Sequence, residues 1–91
     1  QYNFINYSIE DGLAQSQVRA ICQDNSGYLW IGTLGGLSKF DGTNFENYST
    51  SNGLLDNQIN SIFSDCKGNL WFGVNGGVSM YNGYEFKNFP L

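Results

Sequence analysis

Histidine is absent from the 91 residues and proline occurs once. Without histidine, neither a Ser–His nor a Cys–His pair exists to activate a nucleophile. Cysteine occurs twice, too few for a zinc site built on thiolates and imidazoles. Charge is also scarce: eight acidic and four basic side chains leave a net charge of -4. That surplus repels phosphate backbones and anionic lipid, which argues against nucleic acid and against direct membrane contact. No apolar run is long enough to span a bilayer, and no basic-then-apolar leader opens the chain. A secreted segment whose leader was removed fits the same observation. No stretch of about 12 residues carries apolar spacing of 3.6, and glycine interrupts each candidate, so no helix is expected.

Glycine and aromatics are abundant instead. There are 12 glycines, and aromatic side chains make up 16% of the chain. They recur. Trp30 and Trp71 are 41 residues apart, and Leu29-Trp30, Gly32 and Gly35-Gly36 return as Leu70-Trp71, Gly73 and Gly76-Gly77. Gly12-Leu13, Asp24, Gly27, Gly42 and Phe45 return as Gly53-Leu54, Asp65, Gly68, Gly83 and Phe86. Matching 3–50 to 44–91 without a gap gives about 20 identities in 48 positions, the mark of a stacked repeat. Cys22 aligns with Phe63 and Cys66 with Asn25, so no disulfide framework is repeated. Cys22 reads as a small buried hydrophobe and Cys66 as an exposed thiol.

Each repeat reads as four strands. These are Val18–Gln23, Tyr28–Thr33, Leu37–Phe40 and Asn44–Tyr48, then Ile59–Ser64, Asn69–Val74, Val78–Tyr81 and Glu85–Phe89. Asp24 and Asp65 open turns closed by glycine three residues later, where a carboxylate accepts backbone N–H bonds. The paired glycines and then Asp41-Gly42 and Asn82-Gly83 supply the two remaining reversals. Residues 3–8 align with 44–49 and so read as an extra outer strand, making nine strands. Alternation places Val18, Ala20 and Cys22 on one face and Ile21 on the other. Trp30 opposes Leu29 and Ile31.

Strands apolar on both faces, repeated every 41 residues, make blades of an all-β propeller. The expected division is a partial propeller over 1–91: an extra outer strand at 1–8 and blade repeats at 9–50 and 51–91. Two blades do not make a ring, since propellers close with about four to eight. Their outer faces would expose large apolar patches. The expected partners are therefore other propeller blades, from the rest of a longer chain or from further copies of this one. Three copies would give six blades and four would give eight.

The segment Val18–Phe40 resembles the two-component regulator propeller repeat, on Leu29-Trp30-Ile31-Gly32 and the double glycine at fixed spacing. Ile59–Gly83 resembles it again, with Phe72 and Val74 substituted. Gly12-Leu13 through Gln17 and Gly53-Leu54 through Gln58 are similar to that family's links between blades. The resemblance implies a periplasmic or extracellular ligand-sensing segment of a hybrid sensor kinase, often concerned with carbohydrate. With no histidine to activate a nucleophile, no enzyme activity and no cofactor are expected in this segment. A structural fragment that only self-assembles is the alternative.

Propeller topology puts the links between blades and the loops between second and third strands on one rim. The candidate ligand-binding residues there are Gln15, Gln17, Arg19, Asp56, Asn57, Gln58, Asn60 and Asn75. Amides and one guanidinium suit a polyol or a carboxylated ligand; a plain solvated loop is the competing reading. Trp30 and Trp71 read as filler between blades before they read as sugar platforms. Asp24 and Asp65 read as turn caps, since one carboxylate per turn falls short of the roughly six to eight oxygens calcium takes. No metal site is expected. A carboxylate pair drawn from Glu10, Asp11 and Asp56 is the weakest option, because both stretches are polar loop.

Overall fold

The computed structural model describes residues 17–91. The expected strand at 3–8, Gln15, Glu10 and Asp11 lie outside the described residues. Eight strands follow in order: β1 Val18–Gln23, β2 Leu29–Thr33, β3 Gly36–Phe40, β4 Phe45–Tyr48, β5 Ile59–Ser64, β6 Leu70–Val74, β7 Gly77–Tyr81 and β8 Phe86–Pro90. They form two four-stranded antiparallel meanders, β1-β2-β3-β4 and β5-β6-β7-β8, with no closed ring. Among the described residues, a 3-10 turn at Thr50–Asn52 departs from the all-strand expectation. Ser49 caps it by accepting from Ser51 N–H, and Asn52 reaches back to accept from Ser49 N–H at 2.9 Å. Gly53, at φ 113, ends it in a conformation that costs other residues a steric clash.

The hairpins form where the turn chemistry placed them. Asp24 Oδ1 accepts from Ser26 and Tyr28 N–H at 2.9 and 3.0 Å, and Asp65 Oδ1 does the same for Lys67 and Asn69. Asp41 accepts from Thr43 and Asn44, and Asn82 from Tyr84 and Glu85.

The two sheets pack face to face and approach most closely where β1 and β2 meet β5. The face of the first sheet carrying Trp30 and Leu37 closes on the face of the second carrying Ile59, Leu70, Phe72 and Val74. Trp30 stacks on Tyr48 at 5.7 Å and leans on Phe72 and Tyr81 at 6.0 and 5.5 Å. Leu54, in the link between sheets, is buried in the same core. That link is stitched down by Leu55 N–H donating to Ser79 Oγ at 3.0 Å and by Asn88 Nδ2 donating to Gly53 O at 2.9 Å.

One face assignment is corrected. β1 shifts register between Val18 and Ala20, and β5 shifts in the same way between Ile59 and Ser61. Val18 pairs with Thr33 and Ile21 with Ile31, so Val18 shares the face of Ile21 and not that of Ala20 and Cys22. A bulge inserts one residue and breaks the period-2 alternation on which the simple reading relied.

Candidate functional site

The bulges position the candidate site. The extra residue in β1 is Arg19 and in β5 it is Asn60, the same position one repeat apart. A bulged residue has no ladder partner and its side chain is re-aimed; both residues are exposed. They lie on neighbouring strands, since β1 runs beside β5.

The loops between β2 and β3 and between β6 and β7 are tied to the starts of these strands. Leu34 N–H donates to Gln17 O at 3.3 Å and Asn75 N–H donates to Gln58 O at 3.1 Å. Gln17, Arg19, Gln58, Asn60 and Asn75 therefore share one end of the two sheets. Asp56 and Asn57 stand in the adjoining link with local duties. Asp56 Oδ1 accepts from Gln58 N–H at 2.8 Å, and Asn57 Oδ1 accepts from Thr50 N–H at 2.8 Å. Gln15 lies outside the described residues. The rim presents amides and one guanidinium, groups able to make hydrogen bonds.

The spacing of Asp and Trp held a contact that turn chemistry alone did not reveal. Trp30 Nε1 donates to Asp24 Oδ2 at 2.7 Å, and Trp71 Nε1 donates to Asp65 Oδ2 at 3.0 Å. Each aspartate thus caps its turn with one oxygen and anchors the indole six residues on with the other. The Trp71 indole N–H, then the backbone N–H groups of Asn69 and Lys67, hold the Asp65 carboxyl down at about 2. Backbone N–H groups of Asn44 and Thr43 likewise lower Asp41. Burial, helped by Glu46, raises Tyr48 well above the usual phenol range.

Lys39 was also not singled out. Its Nζ lies 4.2 Å from the Tyr28 ring centre and 5.4 Å from that of Trp30, a cation–π contact over the mouth of the cleft between sheets. That cleft, of about 290 Å³, is lined by Asp24, Lys39 and Tyr81 among others, at the end of the sheets away from the Arg19 rim. Among the described residues no group of three His, Cys, Asp or Glu gathers to hold a metal. No described helix is long and apolar enough to cross a membrane.

Trp30 is 1% exposed and fills the space between the sheets as expected. Trp71 does not. It stacks on Phe89 at 5.9 Å on the uncovered face of the second sheet. There Ser61, Phe63, Trp71, Gly73, Val78 and Phe89 line an open groove of about 350 Å³.

Repeated four-stranded meanders packed face to face, with the inner strands adjacent, are blades of a β-propeller. The pattern of the family described as Two component regulator propeller matches residues 12–35 and 53–76, and the chain belongs to that family. A stretch of 39 residues is 54% identical to Histidine kinase P4 of Formosa agariphila, covering 43% of this chain and 3% of that kinase. The fold superposes on the extracellular domain of a hybrid two component system from B. thetaiotaomicron with TM-score 0.83 and 26% identity, over 94% of this chain. It superposes on the extracellular domain of a one component system from the same organism with TM-score 0.80 and 24% identity, over 96% of this chain. This chain spans 13% of each of those two structures.

Proposed function

We infer that the chain is a ligand-sensing segment of an extracytoplasmic propeller in a two-component signalling protein. Its own part is to bind and not to catalyse. The observation that carries this reading is the matched pair of bulges. They set Arg19 and Asn60 at equivalent places on adjoining strands, beside Gln17, Gln58 and Asn75. Family membership supplies the signalling context, and the extracellular neighbours support a periplasmic or cell-surface location. A guanidinium among amides favours a carbohydrate, best of all one bearing a carboxylate.

Calorimetric titration of acidic and neutral oligosaccharides tests this. Arg19→Ala is expected to weaken an acidic glycan about tenfold or more, the loss of one charge-assisted hydrogen bond. Asn60→Ala is expected to weaken neutral and acidic glycans alike. Unchanged affinity in both variants would remove the rim from the binding site.

A further inference from the structure

The chain holds three Asn-Gly pairs, Asn52-Gly53, Asn75-Gly76 and Asn82-Gly83. This dipeptide supports a reaction within itself. The backbone nitrogen of the glycine can attack the side-chain amide carbon of the asparagine, and glycine has no Cβ to crowd that nitrogen. All six residues are exposed, so water and base reach each pair alike. Hydrogen bonds separate them.

At the first pair, Gly53 N–H donates to Thr50 O at 3.1 Å, and Asn52 Oδ1 accepts from Ser49 N–H at 2.9 Å. Attacking and attacked groups are both engaged. At the third pair, Asn82 Oδ1 accepts from Tyr84 and Glu85 N–H at 2.9 and 3.0 Å, which holds the amide in place. At the middle pair neither group is held. Asn75 is tied down through its backbone, by N–H donating to Gln58 O at 3.1 Å. Among the described residues, neither its side-chain amide nor Gly76 N–H has a partner. The first repeat shows what holds that turn elsewhere. There Thr33 Oγ1 accepts from Gly35 N–H at 3.1 Å and donates to Gly36 O at 2.8 Å. In the second repeat valine stands at 74 where threonine stands at 33, so the acceptor for Gly76 N–H is gone. Asn75 stands where Leu34 does, which puts a reactive amide in the turn that lacks the hydroxyl.

We propose that Asn75 is a self-modification site, where deamidation turns an amide of the rim into a carboxylate. Base in the solvent takes the proton of Gly76 N–H. The nitrogen bonds to Asn75 Cγ, the Cγ–Nδ2 bond breaks, and the amide nitrogen leaves as ammonia with the proton that Gly76 lost. Water then opens the cyclic imide at either carbonyl, leaving aspartate or isoaspartate. No oxidant or reductant takes part. The product adds one negative charge to a chain of net charge -4. That charge stands at the end of the sheets that carries Arg19, in the short turn between β6 and β7. Resting on the rim reading above, the new charge opposes an acidic ligand and spares a neutral one.

Ageing the unaltered chain in mildly alkaline buffer tests this, once folded and once in urea. Tandem mass spectrometry of its peptides follows the gain of one mass unit at each asparagine. In the folded chain Asn75 is expected to convert at least about fivefold faster than Asn52 or Asn82, the rate cost of first breaking one hydrogen bond of ordinary strength. In urea the three rates are expected to converge, because the dipeptide is the same. Val74→Thr restores the hydroxyl and is expected to slow Asn75 alone. Circular dichroism reports whether that variant folds; if it does not, the comparison of the three sites in the unaltered chain decides. Asn75→Asp is expected to weaken an acidic oligosaccharide roughly two- to fivefold and to leave a neutral one unchanged. Equal conversion at the three sites in the folded chain, or none at Asn75, overturns the proposal. Unchanged affinity of Asn75→Asp for an acidic oligosaccharide that wild type binds overturns the effect on binding. Selective conversion at Asn75 in a chain that binds no oligosaccharide upholds the modification and removes the rim reading.

Discussion

Adding one methyl group at two equivalent glycines should give two different answers. At Gly32 a Cβ would sit 2.4 Å from Ile59 Cγ2 and 3.0 Å from Ile59 Cβ. Ordinary carbon contacts begin near 3.5 Å, so Ile59 or the sheet carrying it must retreat by about 1 Å. Ile59 is fully buried and β-branched, which restricts its χ1. Overpacking of this kind costs about 1–3 kcal/mol. At Gly73 the nearest atom is Ser61 Oγ, also at 2.4 Å, on an exposed side chain that rotates away. Neither glycine has a left-handed φ, so alanine gains about 0.4–1 kcal/mol at either site by restricting the unfolded chain. The expected difference is therefore about 1–3 kcal/mol, with Gly32→Ala the less stable and Gly73→Ala near neutral. Urea unfolding followed by tryptophan fluorescence in dilute solution measures it. Equal midpoints for the two variants would refute the reasoning, because the two sheets would then not be in close contact at Gly32.

Two further outcomes follow from the aspartates. Asp24→Ala removes the acceptor of the buried Trp30 indole N–H and two turn bonds; a loss of about 1–3 kcal/mol is expected from urea midpoints. Asp65 is held at about 2 against an ordinary 3.8, so its folded pKa is depressed. Its contribution is complete above the ordinary value, declines as pH falls below it and is gone once pH passes below about 2. Stability measured from pH 5 to pH 2 should fall more steeply in wild type than in Asp65→Asn.

Much of the fold was legible because each element is specified locally. Asp24 and Asp65 cap turns by bonds within four residues, and every described strand end falls within a residue of expectation, with β1 and β5 matching at both ends. The face of Val18 was misread because a bulge depends on how β1 sits against β2 and leaves no mark on a six-residue strand. The rim around Arg19 was legible as a set of residues, since propeller connectivity decides which loops share an end. The indole bonds to Asp24 and Asp65 were present only as a spacing. Six residues across a turn become 3 Å or less only after two strands pair.

The order of residues alone determined the unit: a 41-residue period, four strands in each repeat, turn chemistry at fixed offsets and apolar groups on both faces. These follow from short-range sterics and hydrogen bonding, which each repeat carries in itself. Packing decided which copy of each repeated residue became core. Trp30 and Trp71 are the same residue in the same motif, yet Trp30 is buried against the second sheet while Trp71 stands on an open groove. Burial belongs to neighbours in space, and the second sheet has a described neighbour on only one side.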